Sequence, residues 1–258
     1  MKKVTVTGFS PSAKSLFWTG AGILFLLLVW GIAARFYGSG LILPGPLPVF
    51  RSFVRLIQSP RFFSALGYSL LRVLGGILIA VPLGIAAGIA SGLDGRFRAF
   101  LKPLFSVISA TPVMSVILIA FLFLGSGRTP VFTAFLMVFP VMAANVIEGV
   151  SSTDPRLKEL FAAFRMSRAK TLRCLYIPSL LPFILGGLRS SLSLCWKVVV
   201  AAEVMVQPLR SLGTGMQQAK ANLETPELFA WTAATVIAAA LSQGILSLVL
   251  KRRVRGAR

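Results

Sequence analysis

The chain of 258 residues carries 27 Lys and Arg against 7 Asp and Glu and no His, a net charge of +20, yet 56% of it is Ala, Val, Ile, Leu, Met, Phe, Trp, Tyr or Cys. So apolar a composition excludes a disordered chain, and the missing His excludes a Ser-His-Asp triad and an HExxH metal site. A soluble nucleic-acid-binding domain fits the charge but not so greasy a surface.

A bilayer core takes about 20 mostly apolar residues per helix. Six stretches meet that length: Leu16–Ala34, Val73–Leu93, Pro103–Gly127, Thr129–Ile147, Cys174–Val206 and Leu228–Leu250. Only the fifth is interrupted by charge, at Arg189, Lys197 and Glu203. Backbone groups facing lipid must be satisfied within the segment, so these runs are expected to be helices. Barrel strands are about half as long and alternate in polarity. The expected fold class is an all-α membrane protein with six transmembrane helices.

In chain order, residues 1–15 form a basic tail with Lys2, Lys3 and Lys14. Tail and first run together resemble a secretory leader. The run exceeds the 7–15 residues of a leader core, which favours a retained anchor. Pro44, Pro46 and Pro48 then stop helix and favour extended chain. Val49–Ser64 returns to a helical period and reads as a helix lying on the outer face, with a plain linker as the alternative. In the second span Gly76, Ala80, Gly84, Gly88 and Gly92 place a small residue every fourth position, a stripe that lets another helix come close. Pro112 and Pro140 interrupt the third and fourth spans, as ordinary kinks or as breaks lining a path.

Glu148–Pro178 is the longest expected connection on its side of the membrane, 31 residues. Within it, Asp154-Pro155 is a helix start, with a capping side chain followed by Pro at the first helical position. Leu157, Leu160, Phe161 and Phe164 then fall on one face, and Arg156, Lys158 and Glu159 largely on the other. Such a helix can rest on a membrane surface or dock into a partner's groove, and both remain open.

Arg189, Trp196 and Glu203 are spaced by seven and share a helical stripe, with Ser193 close to it. Lys197 points about 80° from Arg189. A charge at membrane depth costs about 2.5–3.5 kcal/mol on insertion scales, so it faces protein or water. Lys197 or Arg189 then either meets an anionic solute or pairs with Glu203 or Glu148. Farther on, Ser211-Leu-Gly213-Thr-Gly215 reads as a flexible loop, and residues 251–258 as a basic tail drawn to the membrane surface. Cys174 and Cys195 fall in different surroundings and are not expected to pair. Neither metal nor cofactor is called for.

Charge sets orientation. With the N-terminus inside, 17 of the 27 cations fall on inner segments and 7 on outer ones, which predicts both termini cytoplasmic. The expected organisation is residues 1–64 as tail, first span and outer segment, 65–250 as a five-helix core containing the loop 148–178, and 251–258 as the tail.

The loop resembles the "EAA" loop of binding-protein-dependent ABC importer permeases, a pattern of Glu-Ala-Ala, three residues, Gly, nine residues and Ile-x-Leu-Pro. Aligned on Pro178, Glu159 takes the Glu position, Leu160 and Phe161 the two Ala, Leu175 the Ile and Ile177 the Leu. Asn145-x-x-x-Gly149 and Pro178-x-x-x-Pro182 flank it. Leu43-Pro-Gly-Pro, Ser69-Leu-Leu-Arg72-Val-Leu-Gly75 and Gly187-Leu-Arg189…Trp196…Ala202-Glu203 look like the nitrate/sulfonate/taurine branch. The resemblance spans roughly residues 43–250.

The resemblance implies the type I importer permease fold, in the inner membrane. It also implies a homodimeric pore, two ATPase subunits docked on the loops and an extracytoplasmic solute-binding protein. Pro155, Glu159, Leu160, Phe161, Ala162, Phe164, Arg165 and Arg168 become the ATPase-coupling loop. Arg189, Ser193, Trp196, Lys197 and Glu203 become the translocation path. The solute would be a small sulfonate- or nitrate-like anion or a vitamin precursor. No GxxxxGK[ST] phosphate loop occurs in the chain, so ATP hydrolysis is expected on a separate subunit. Arg165 departs from the pattern, standing where the family has a Gly that makes a tight turn. Either the turn changes, or the helix runs past Phe164. A stand-alone carrier or channel is the competing reading, but such proteins carry internal repeats, and none is evident. A membrane-embedded enzyme would have few acid-base residues to work with.

Overall fold

The structure is a computed structural model that describes residues 13–256, with side chains described over 17–250 except at Arg168. Of the expected basic tails, residues 1–12 and 257–258 lie outside the described residues, and 251–256 continue the last helix. Ten α-helices follow in order: α1 (Ala13–Tyr37), α2 (Pro46–Ile57), α3 (Pro60–Leu93), α4 (Gly95–Ala110), α5 (Val113–Ser151), α6 (Pro155–Ala163), α7 (Arg168–Thr171), α8 (Ile177–Val206), α9 (Leu212–Ala221) and α10 (Thr225–Gly256). A π-helical turn, Leu172–Tyr176, joins α7 to α8. There is no strand among the described residues.

Local chemistry sets the boundaries. The helix expected over 49–64 stops at Ile57, because Ser59 caps a new helix: its hydroxyl accepts the Phe62 N–H at 3.2 Å, and Pro60 fills the first turn. Asp94 separates α3 from α4 and accepts the Arg96 N–H at 2.8 Å. Five helical stretches are long and apolar enough to cross a membrane: 17–37, 60–93, 113–151, 169–206 and 225–250.

The expected third and fourth spans divide differently. The stretch 103–127 is not one helix. It breaks at Thr111–Pro112, where Pro112 has extended backbone. Its second half continues into the expected fourth span as α5, which bends at Gly125 with φ 69°. Only a residue without Cβ adopts that backbone cheaply. A second effect follows from the bend. The first segment of α5 and the end of α4 fold back along the second segment, bringing Phe105 to 5.5 Å from Phe139 between ring centres.

Helix α5 is the centre of the bundle. Its second segment runs parallel to α3 in fixed register. Cβ atoms added at Gly76, Gly84, Gly88 and Gly92 would lie 2.9, 2.7, 2.6 and 2.6 Å from Ala134, Met142, Val146 and Val150. Ala80 and Val138, between them, are fully buried. On its other side α5 packs antiparallel to α8, with Gly149 against Leu180 and Phe183, and Gly187 against Met142 and Asn145. Close backbone approach of this kind is how helices associate where lipid removes the hydrophobic drive. Facing outward, Phe25, Leu26, Leu78, Leu122 and Leu241 are all exposed, an apolar surface suited to lipid. Helix α1 stacks Trp30 on Phe229 of α10 at 5.8 Å and also meets α2.

Candidate functional site

The loop between α5 and α8 is shorter than expected, because α5 continues through Glu148 to Ser151 and α8 already includes Pro178. At its centre is α6. The Asp154 carboxylate accepts the Arg156 N–H at 2.9 Å, Pro155 occupies the first turn, and Lys158 Nζ donates to the Val150 carbonyl at 3.4 Å. These contacts hold α6 against the end of α5. None of its residues is buried. Leu157, Leu160 and Phe164 are 41%, 48% and 70% exposed, Phe161 is half-buried, and Glu159 and Ala162 are exposed.

Arg165 resolves the choice between a changed turn and a longer helix in favour of neither. The helix ends at Ala163, and Arg165 takes the left-handed conformation with φ 47°. The Met166 N–H then donates to the Phe161 carbonyl at 3.1 Å, and the Arg165 N–H to the Ala162 carbonyl at 2.9 Å. That is a Schellman cap, normally closed by Gly. Arg165 closes it at a backbone cost of about 1–2 kcal/mol. Arg168 begins α7, and its side chain lies outside the described residues.

The five α8 residues separate into two groups. Arg189 and Lys197 are exposed, Ser193 is half-buried, and neither cation has an ion-pair partner among the described residues. Trp196 and Glu203 are buried, at 2% and 0% exposure. The Trp196 indole N–H donates to Ser242 Oγ on α10 at 2.8 Å. The seven-residue stripe is real in phase, but its neighbours change along α8, so one end is covered and the other open.

Glu203 pairs with neither Lys197 nor Arg189. Its carboxylate accepts from Arg72 Nη1 and from the Ser69 hydroxyl, each at 2.8 Å, and from the Gly213 N–H at 3.3 Å. Ser69 Oγ in turn accepts the Leu212 N–H at 3.0 Å, and Arg72 Nη1 also donates to the Arg210 carbonyl at 2.9 Å. A carboxylate so deeply buried is tolerated because its charge and lone pairs are all engaged. Sequence reasoning missed this partnership. The available signal was Ser69-x-x-Arg72, two polar residues on one face of an apolar span.

The stretch 211–215 is not a flexible loop. It is the first turn of α9, with the Ser211 hydroxyl accepting the Thr214 N–H at 2.9 Å. Its glycines serve contact instead of mobility. A Cβ at Gly213 would lie 2.5 Å from Glu203 Cβ, and one at Gly215 would lie 2.5 Å from the Trp231 ring. Cys174 and Cys195 are both free thiols, the first exposed and the second buried.

Comparison with known proteins fits this architecture. Residues 80–256 match the family described as "Binding-protein-dependent transport system inner membrane component". The taurine transport system permease protein TauC of Escherichia coli is 31% identical over 228 residues, covering 85% of this chain and 82% of that protein. The bicarbonate transport system permease protein CmpB of Synechococcus elongatus is 32% identical over 207 residues, covering 75% and 73%. The putative aliphatic sulfonates transport permease protein SsuC of Bacillus subtilis is 24% identical over 250 residues, covering 95% and 90%. Among solved structures, a chain of the inward-facing MetNI methionine ABC transporter superposes with a TM-score of 0.56 at 14% identity, over 82% of this chain and 98% of that one, a likeness of fold. The chain thus belongs to the binding-protein-dependent transport system inner membrane components, as a multi-pass ABC importer permease subunit of the nitrate/sulfonate/taurine type.

Proposed function

We propose that two copies of this chain form the pore of an importer for a small anion, driven by two ATPase subunits and loaded by an extracytoplasmic solute-binding protein. The observation that carries the coupling is α6, a capped helix with nothing buried and an apolar edge of Leu157, Leu160 and Phe164 open to a partner. An exposed apolar edge held on a rigid, side-chain-capped helix suits docking into a groove. The positive-inside count supports placing both termini and α6 in the cytoplasm. Closure of the ATPase pair then moves α6, and Lys158 and the π-helical turn link that movement to α5 and α8.

Arg189, Ser193 and Lys197 are the path candidates, because the two cations are exposed on α8, Ser193 is half-buried beside them, and none of the three has a hydrogen-bond or ion-pair partner among the described residues. Trp196 and Glu203 hold α8 to its neighbours instead. Two relatives' names concern taurine and bicarbonate, and a third aliphatic sulfonates; all suit cationic groups along a path. Core residues 65–250 are the moving unit in this reading, and 1–64 its anchor and outer segment.

The test is uptake by the complete complex in vesicles. Leu160→Asp or Phe161→Asp is expected to abolish ATP-driven uptake and the stimulation of hydrolysis by loaded binding protein. Survival of both activities overturns the coupling assignment. Lys197→Met is expected to abolish uptake with assembly intact, and normal uptake removes Lys197 from the path.

A further inference from the structure

Helix α4 has two exposed faces of opposite character. Phe97, Phe100, Leu104 and Val107 are exposed on one side, within about 80° of one another at 100° per residue. Arg98, Lys102, Ser106 and Ser109 are exposed on the other, also within about 80°. Leu101 and Ile108 are buried and separate the two faces on the packed side.

The apolar face is what lipid accepts. The polar face is not. Several hydroxyls turn back onto their own backbone: Thr111, at the end of α4, to the Val107 carbonyl at 2.7 Å, Thr133 on α5 to Thr129 at 2.9 Å, and Thr232 on α10 to Leu228 at 2.9 Å, whereas Ser91 and Ser191 are buried without a partner among the described residues. Ser106 and Ser109 make no such bond and have no hydrogen-bond partner among the described residues. In hydrocarbon each would be an unsatisfied polar group, which is unfavourable. The cations Arg98 and Lys102 have no ion-pair partner either. Arg98 to Ser109 spans about 16 Å along the axis at 1.5 Å per residue, so the stripe enters the bilayer from the α6 end and reaches toward its middle.

We infer that Arg98, Lys102, Ser106 and Ser109 line a water-filled, anion-attracting funnel that opens on the α6 side of the membrane. Its cations sit at the mouth and its hydroxyls deeper, an order suited to drawing a small oxyanion, sulfonate or carboxylate along hydroxyl donors to an open end. Nothing in the sequence pattern of the coupling loop or of α8 assigns this stripe. The inference rests on the reading of the chain as the path of an anion, and adds a second helix to that path.

The test is thiol accessibility in the complete complex in vesicles, in a Cys174→Ser background with buried Cys195 retained. Ser106→Cys and Ser109→Cys are compared with Leu104→Cys and Val107→Cys, using anionic and cationic methanethiosulfonate reagents normalised to a free thiol. Expected is labelling of both serine positions on the order of tenfold faster than of the apolar-face positions, with the anionic reagent favoured by a further several-fold. That preference is lost in Lys102→Gln and Arg98→Gln. Serine positions as slow as Val107→Cys mean that protein, a second copy included, covers the stripe, and overturn the funnel. Labelling without a charge preference overturns its anion-attracting character. Uptake by the Cys174→Ser parent is measured in parallel: uptake present with labelling absent defeats the funnel alone, and absent uptake in a properly assembled parent defeats the transport reading.

Discussion

Helices α6 and α9 are built alike and used in opposite ways. Both are short connectors between long helices, of nine and ten residues. Each has a side-chain cap at its start, Asp154 or Ser211. Each ends in a Schellman cap closed by a non-glycine residue in the left-handed region, Arg165 at φ 47° and Leu223 at φ 59°. Yet α9 buries Leu212, Gly213, Thr214, Gly215 and Ala219, whereas α6 buries nothing. Capping decides that a short helix exists, and its sides decide what it is for. In α9 the small residues Gly213 and Gly215 let α8 and α10 close over it, and its first N–H groups are spent on Glu203 and Ser69. In α6 the large residues Leu157, Leu160 and Phe164 stay outside, and its caps hold it in shape for the subunit docking proposed above.

Substitutions can break that contrast, and the largest effects belong to α9. Gly215→Val drives a branched side chain into the Trp231 ring and is expected to prevent stable folding, seen as loss of a monodisperse peak in detergent. Glu203→Ala leaves Arg72 facing a buried void and is expected to cost about 3 kcal/mol in thermal or denaturant unfolding. The double variant Glu203→Leu with Arg72→Met should recover most of it. At α6 the expectation inverts: Leu160→Asp leaves unfolding within about 0.5 kcal/mol of the parent while uptake is lost. Arg165→Gly removes the left-handed cost and should stabilise by about 1 kcal/mol with uptake retained. The smallest effect concerns the α9–α10 turn. A hydrogen bond with Glu227, and then its charge, raises the Glu224 carboxyl above its ordinary 4.5. A raised folded-state value binds the proton more tightly in the folded chain, so its contribution is full below the ordinary value and lost as pH rises through the raised one. A shallow fall in melting temperature over that window is expected, and Glu224→Gln should flatten it.

Much of the fold was legible because membrane helices must be long, apolar and self-satisfied, and Asp154-Pro155 is a local signal that needs no tertiary help. What escaped is instructive. Gly213 and Gly215 read as a loop because glycine looks the same in sequence whether it gives mobility or clearance; only the Trp231 ring and Glu203 decide between them. The break at Gly125 was hidden because charge at Arg128, not backbone, marked the end of the third span. Glu203 was assigned to the translocation path, or to a pair with Lys197 or Arg189, because its partner Arg72 lies on another helix, and no pattern within α8 points to it. Arg165 was legible as an anomaly but not in outcome, since the cap's hydrogen bonds outweigh the cost of its backbone.

The register between α3 and α5 has a mechanical consequence. Glycine clearances at Gly76, Gly84, Gly88 and Gly92, each filled by one α5 side chain, with Ala80 completing the four-residue spacing, make the pair a toothed rack. A slip of one or two residues would jam Met142, Val146 and Val150 against the Cβ-bearing ridges between the notches, and the next free setting lies about 6 Å away. Such packing favours the two helices moving as one beam, so that in the proposed coupling a push delivered at the α6 end of α5 would be shared by α3.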